Sequence, residues 1–187
     1  NPRDLRVERK VQRVGRRADA VVELLQVRLA EEGEEPFERP ARLIGLHRSL
    51  CVYSHHHRGT PEKPGLVLTL DRGGSCRGIA FRVRPEKRAE TLDYLRAREQ
   101  VTMVYRETWH RLRLADGRLV EGVAYTVDRT HRQYARLLRE DEVIRLVRQG
   151  VGVSGANPDY VRNTHLQLAE MGITDPMLAR IVAALEP

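Results

Sequence analysis

Apolar and polar positions change their period several times along this chain, and each change marks an element. Val7, Val11, Val14, Ala18, Val21, Leu25 and Leu29 recur at spacings of four and three. That is the stripe of an amphipathic helix over residues 5–31, although Gly15 weakens it and the valine-rich run Val21–Val27 also fits a short strand. The acidic stretch Glu31–Pro40, with Gly33 and Pro36, reads as a linker. The chain is therefore expected to divide into an atypical segment, 1–36, helical with an acidic linker, and a folded domain, 37–187.

Within that domain, residues 41–53 alternate as a strand does, and Ser54–Pro64 is a loop rich in His, Gly and Pro. Leu66–Leu70 reads as a buried strand. Gly73–Gly74 is expected to turn the chain back into a second strand, Ser75–Val83, giving a hairpin. Pro85 suits the first position of a helix that runs to about Arg98, with Ala89, Leu92 and Leu95 on its inner face. Val101–Leu114 alternates again, and Asp116–Gly117 makes a hairpin turn into Arg118–Val127. Helices follow: one capped by Asp141 and closed by Gly150, one from Asn157–Pro158 to Gly172, and one from Asp175–Pro176. The pattern predicts an α+β fold, a small, mainly antiparallel β-barrel with surrounding helices.

Composition narrows the function. The 187 residues carry a formal charge of +7. Residues 1–40 are balanced, nine basic against nine acidic, so the excess lies in 41–187. No Lys/Arg block interleaves with aromatics, which argues against a nucleic-acid partner. No apolar run is long enough to span a membrane or act as a leader, and a cytoplasmic location is expected. Cys51 and Cys76 lack metal or redox spacing and read as buried free thiols. His55, His56 and His57 are adjacent but have no carboxylate or cysteine at ligand spacing, so no metal site is expected. Neither a G-x-S-x-G elbow, a G-x-G-x-x-G turn nor a P-loop occurs.

Glu99 has the better claim to chemistry. It ends a helix with an apolar inner face and precedes the apolar stretch Val101–Tyr105. A partly desolvated carboxylate there would suit general acid–base work, with Arg98 opposing if it faced the same side. From pattern alone, a surface glutamate remains the plainer reading.

Four ordered segments carry a resemblance: ERPARLIGLHRSLCVYS, RGTPEKPGLVLTLDRGGSCRGIAFRV (Arg58 to Val83), YLRAREQVTMVY and SGANPDYVRNTHLQLAEMGITDP. Together they resemble the ChaC-like γ-glutamylcyclotransferases, over roughly four-fifths of the chain. The resemblance implies a small barrel and a reaction without metal or organic cofactor. The substrate's own α-amino group would attack its γ-glutamyl carbonyl, releasing 5-oxoproline and an amine, Cys-Gly where the substrate is glutathione. It places the catalytic glutamate on Glu99, as base and then acid. Arg58 would meet a substrate carboxylate, and Tyr105 and Tyr160 would line the pocket. Turn-building and core packing are the alternatives for these three.

The family's Tyr-Gly-Ser-Leu loop, whose backbone holds the γ-glutamyl group, has no counterpart here. The corresponding stretch reads AVVELLQVRLAEEG. A catalytically weak or inactive relative acting as a binding or scaffold protein is therefore the alternative function. The heptad-like stripe of residues 5–31 would suit self-association.

Overall fold

The computed structural model describes residues 26–29 and 37–186. Its elements are β1 (Gln26–Leu29), β2 (Phe37–Ser54), β3 (Gly65–Val83), a 3-10 turn (Pro85–Lys87), α1 (Arg88–Glu99), β4 (Tyr105–Leu114), β5 (Leu119–Val127), α2 (Glu140–Gln149), β6 (Val151–Gly152), β7 (Gly155–Ala156), α3 (Asn157–Glu170) and α4 (Pro176–Leu185). The long strands β2 and β3 run through two compact units. The first comprises residues 1–48 and 70–128, the second 49–69 and 129–187.

The first unit holds the barrel, closed in the order β1-β3-β2-β4-β5. Its β2–β4 and β4–β5 pairs are antiparallel, while β1 joins β3 in parallel. The β4–β5 hairpin follows from its turn: Gly117 sits at φ 87°, and Gly117 N–H donates to the Leu114 carbonyl at 2.9 Å. Strand alternation then sends Leu112 and Leu114 inward, with Arg111 and Arg113 outside. Leu43, Leu46 and Leu70 join them in a core with almost no exposure. Burying each leucine contributes about 1.5–3 kcal/mol.

The second unit contains the ends of β2 and β3, the loop between them, and α2, α3 and α4. Asp175 caps α4 by accepting the Leu178 N–H at 3.1 Å, as the Asp-Pro pair predicts.

Five expectations change. Asp141 does not cap its helix: it is the second residue of α2, and the cap position is Arg139, whose N–H donates to the Glu142 carboxylate at 3.1 Å. Gln26–Leu29 is a strand rather than part of a helix, because it pairs in register from Gln26 opposite Ala80 to Leu29 opposite Val83. Neighbouring β3 supplies the backbone partners that a helix would find in itself. The remainder of the 5–31 stripe, and with it the self-association surface, lies outside the described residues. Gly73 and Gly74 do not make a hairpin. They take φ 109° and 65° inside one continuous 19-residue strand, so glycine's left-handed freedom is used within β3. Val101–Met103 are not strand: Met103 takes φ 57° and its N–H reaches the Gln100 carbonyl at 3.3 Å, turning the chain out of α1. Ala89 is exposed, and the buried residues of α1 are Leu92 and Leu95.

Candidate functional site

Glu99 is the last residue of α1. The helix forms after Pro85 because Leu92 and Leu95 bury one side, and Leu95 joins Phe81 and Val83 in an apolar cluster with Ile79, Tyr94 and Tyr125 packed against it. The chain leaves the helix through Gln100, whose N–H donates to the Arg96 carbonyl at 2.9 Å. Glu99 therefore stands where regular backbone ends. Its side chain is 21 % exposed, neither in bulk water nor sealed in the core. Arg98 does face the same side: its Nε donates to Oε1 of Glu99 at 2.6 Å, and its Nη2 bonds the same oxygen. Among the described residues no bond is made to the other oxygen, Oε2. One oxygen is thus oriented by a neighbouring guanidinium.

A second cluster lies beside the end of α1. Arg96 reaches β4 and grips Glu107 with two prongs, Nε to Oε2 at 2.8 Å and Nη2 to Oε1 at 2.9 Å. Tyr125 on β5 donates its hydroxyl to Oε2 of Glu107 at 3.0 Å. The guanidinium holds the Glu107 carboxyl below its ordinary range. Tyr125 is pushed well above its ordinary range, first by burial, then by the Glu107 charge and hydrogen bond, with the Glu99 charge adding to the effect. None of Arg96, Glu107 and Tyr125 stood out in the sequence. Tyr105, the opening residue of β4, is half-buried.

In the second unit the structure brings Arg58 and Tyr160 together. Arg58 is buried, bonds the Ser154 carbonyl through Nη1, and lies over the Tyr160 ring at 5.2 Å. Burial, the largest influence, lowers the Arg58 pKa. The Tyr160 hydroxyl accepts the Leu68 N–H at 3.1 Å, and its own burial pushes the phenol upward. Asn157, expected only as a helix cap, is fully buried. Its amide accepts the Leu66 N–H at 2.7 Å and donates to the Leu66 carbonyl at 2.8 Å. The partners are 91 residues apart, so no local pattern points to them. Backbone also packs on backbone here. A Cβ on Gly65 would lie 2.1 Å from the Arg58 carbonyl oxygen, and one on Gly150 would lie 2.4 Å from it. Only glycine permits that approach.

The remaining candidates have plain roles. His55, His56 and His57 are exposed, and His57 Nδ1 meets the Ser154 hydroxyl at 3.0 Å. No group of three or more metal-binding side chains is assembled among the described residues. Cys51 and Cys76 are buried and unbridged. No helix among the described residues is long and apolar enough to cross a membrane. An open depression of about 540 Å³ on the second unit, lined by Asp141, Ile144, Arg145, Arg148, Gln149 and Ala184, contains none of the residues expected to carry chemistry.

Known proteins give the geometry a context. A family model described as ChaC-like protein matches residues 35–186. A glutathione-specific gamma-glutamylcyclotransferase of Escherichia coli (strain K12) is 31 % identical over 144 residues, covering 77 % of this chain and 62 % of the relative. A glutathione-specific gamma-glutamylcyclotransferase 1 of Mus musculus is 30 % identical over 147 residues, covering 75 % of this chain and 66 % of the relative. The chain thus spans a little under two thirds of the length of each of these two relatives. A crystal structure of a yeast gamma-glutamyl cyclotransferase specific to glutathione superposes with a TM-score of 0.69 at 21 % identity, covering 80 % of this chain and 87 % of that one. At that identity the likeness speaks for the fold.

Proposed function

Because the chain belongs to the ChaC-like protein family, we propose that it is a γ-glutamylcyclotransferase, a lyase that acts on glutathione with Glu99 as its proton carrier. The observation that carries this reading is the state of the Glu99 carboxylate: positioned at the end of α1, oriented through one oxygen by Arg98, and without a bond to the other among the described residues.

The proposed chemistry asks little of the protein beyond a proton carrier and a bent substrate. The α-amino group of a γ-glutamyl compound is mostly protonated at neutral pH and attacks only after losing a proton. Glu99 takes that proton. The free amine adds to the γ-carbonyl, closing the five-membered ring, and the tetrahedral centre collapses as Glu99 returns the proton to the leaving nitrogen. Glu99 then takes the second proton from the ring nitrogen, which becomes the lactam N–H, and that proton ends on the released amine. The products are 5-oxoproline and Cys-Gly. Atoms balance without water, metal or organic cofactor. Since nucleophile and electrophile belong to one molecule, holding the chain bent does the work of bringing two reactants together. Arg58, Tyr105 and Tyr160 belong to the proposal as substrate contacts through the family resemblance. For Arg58 and Tyr160, the bonds seen are to the protein itself.

The stretch AVVELLQVRLAEEG, standing where the resemblance places a Tyr-Gly-Ser-Leu loop, favours a second reading, a binding or scaffold protein with the same barrel and little turnover. Loss of donors to a developing oxyanion costs about 3–4 kcal/mol of transition-state stabilisation. Incubating the purified chain with glutathione and quantifying 5-oxoproline and Cys-Gly separates the two. Equimolar release of both supports the enzyme. No release above the no-protein control, with folding verified, supports the scaffold.

A further inference from the structure

The last turn of α1 carries more than Glu99. Arg96, three residues earlier, leaves the helix toward β4 and holds both oxygens of Glu107. Tyr125 stands directly opposite Glu107 in the β4–β5 ladder and closes onto it from β5. Three side chains from three elements therefore meet beside the helix end, over the apolar cluster of Phe81, Val83 and Leu95. Arg96 is exposed while Arg98 is half-buried, and Asp93 meets Arg96 at 3.3 Å. Glu107 comes from β4 and Tyr125 from β5, while the groups packed there from β3 are the apolar Phe81 and Val83. The proton carrier thus has Arg98 bonded to it, Arg96 three residues before it on the helix, and a charge that reaches the Tyr125 hydroxyl. The bidentate grip fixes the separation of the Arg96–Glu107 pair.

We propose that Arg96, Glu107 and Tyr125 are positioning residues for Glu99: they pin the end of α1 to the barrel and set the charge around the carboxylate that moves the proton. This rests on the reading of Glu99 given above. Tyr125 has no proton to give near neutral pH. Its hydroxyl serves as a fixed donor that locks Glu107 in place, and Glu107 in turn compensates Arg96. A purely mechanical tether would make loss of either Arg96 or Glu107 do the same thing. A charge-setting pair makes them do opposite things, because removing Glu107 leaves extra positive charge near Glu99, and removing Arg96 leaves extra negative charge.

The test is the pH dependence of kcat/KM for 5-oxoproline release from glutathione in wild type, Glu107→Gln, Arg96→Gln and the exchanged pair Arg96→Glu with Glu107→Arg. The acid limb is expected to move down by about 0.5 pH unit in Glu107→Gln and up by about as much in Arg96→Gln. The exchanged pair should return it toward wild type. KM should stay within about twofold while kcat falls. Tyr125→Phe should lower kcat by about threefold, the loss of one hydrogen bond in the lock. A carbon-13 carboxyl titration of Glu99 by NMR should show the same opposite movements without turnover. Movement of both single variants in one direction, movement of neither, or a rise in KM with kcat intact would overturn the proposal. Absence of product from wild type would instead overturn the enzymatic reading, while the NMR titration still decides the charge-setting claim. If a single variant fails to fold, the exchanged pair keeps the comparison.

Discussion

The two units use polar side chains in contrasting ways. In the second unit, Asn157, Tyr160 and Arg58 bond backbone: both polar groups of Leu66, the N–H of Leu68 and the carbonyl of Ser154. Each side chain is buried and each partner is a fixed part of the chain. In the first unit, Glu99 bonds the Arg98 side chain, and Arg96, Glu107 and Tyr125 bond one another's side chains. Polar groups committed to backbone are scaffold, since removing one strands a buried donor or acceptor. Polar groups that meet other side chains keep the freedom to change protonation or partner. On that basis the backbone bonds of Arg58 and Tyr160 hold structure whatever else these side chains meet, and the proposed proton transfer falls to Glu99.

Substitutions break the contrast in a ranked order. Gly65→Ala should have the largest effect, about 3 kcal/mol or more of lost stability, because overpacking of backbone on backbone has no rotamer to relax into. A large fall in the urea midpoint measures it. Asn157→Ala should cost about 2–4 kcal/mol, since the Leu66 N–H and carbonyl both lose their partner in a dry site. Denaturant titration should show an unchanged slope. Tyr160→Phe, which removes a single acceptor from the Leu68 N–H, should cost about 1–2 kcal/mol, read as a shift in melting temperature.

The smallest effect concerns pH. His110 on β4 is half-buried, with Nε2 at 2.9 Å from the Thr108 hydroxyl. Burial and then the Arg72 charge hold its pKa below the ordinary 6.5. The unfolded chain therefore takes up this proton more readily, and stability falls as pH drops from about 6.5 toward the folded value. His110→Gln should flatten that part of a stability-versus-pH curve without altering it above pH 7.

Much of the frame was legible in the sequence. Alternation and the Asp116–Gly117 turn predicted the β4–β5 hairpin, and Asp-Pro predicted the start of α4. Counting outward from a two-residue Asp116–Gly117 turn pairs residue 107 with residue 126, whereas the observed ladder sets Leu114 against Arg118 and Glu107 against Tyr125, so a one-residue longer loop hid the Glu107–Tyr125 pair. Arg96 was equally hidden, because nothing local says which strand its side chain will meet. Asn157 escaped for the same reason: a residue before proline at a helix start looks like a cap, and its partners on Leu66 are remote. Gly73–Gly74 misled because two glycines suit a hairpin turn and an in-strand irregularity equally well, and only the neighbouring strand decides. Residues 26–29 show a tertiary pairing overriding a helical period. Glu99 was singled out through a family resemblance. Spacing alone left it a surface residue.

The central claim is that Glu99 is reactive rather than structural, and Glu99→Gln tests it most directly by measuring turnover and thermal stability on the same preparation. The isosteric amide cannot carry the proton, so 5-oxoproline release should fall by about 10²–10⁴-fold. The melting temperature should stay close to that of wild type, because among the described residues the side chain bonds only the neighbouring Arg98. A variant that turns over glutathione at the wild-type rate, or one that loses activity only because it no longer folds, would contradict the account.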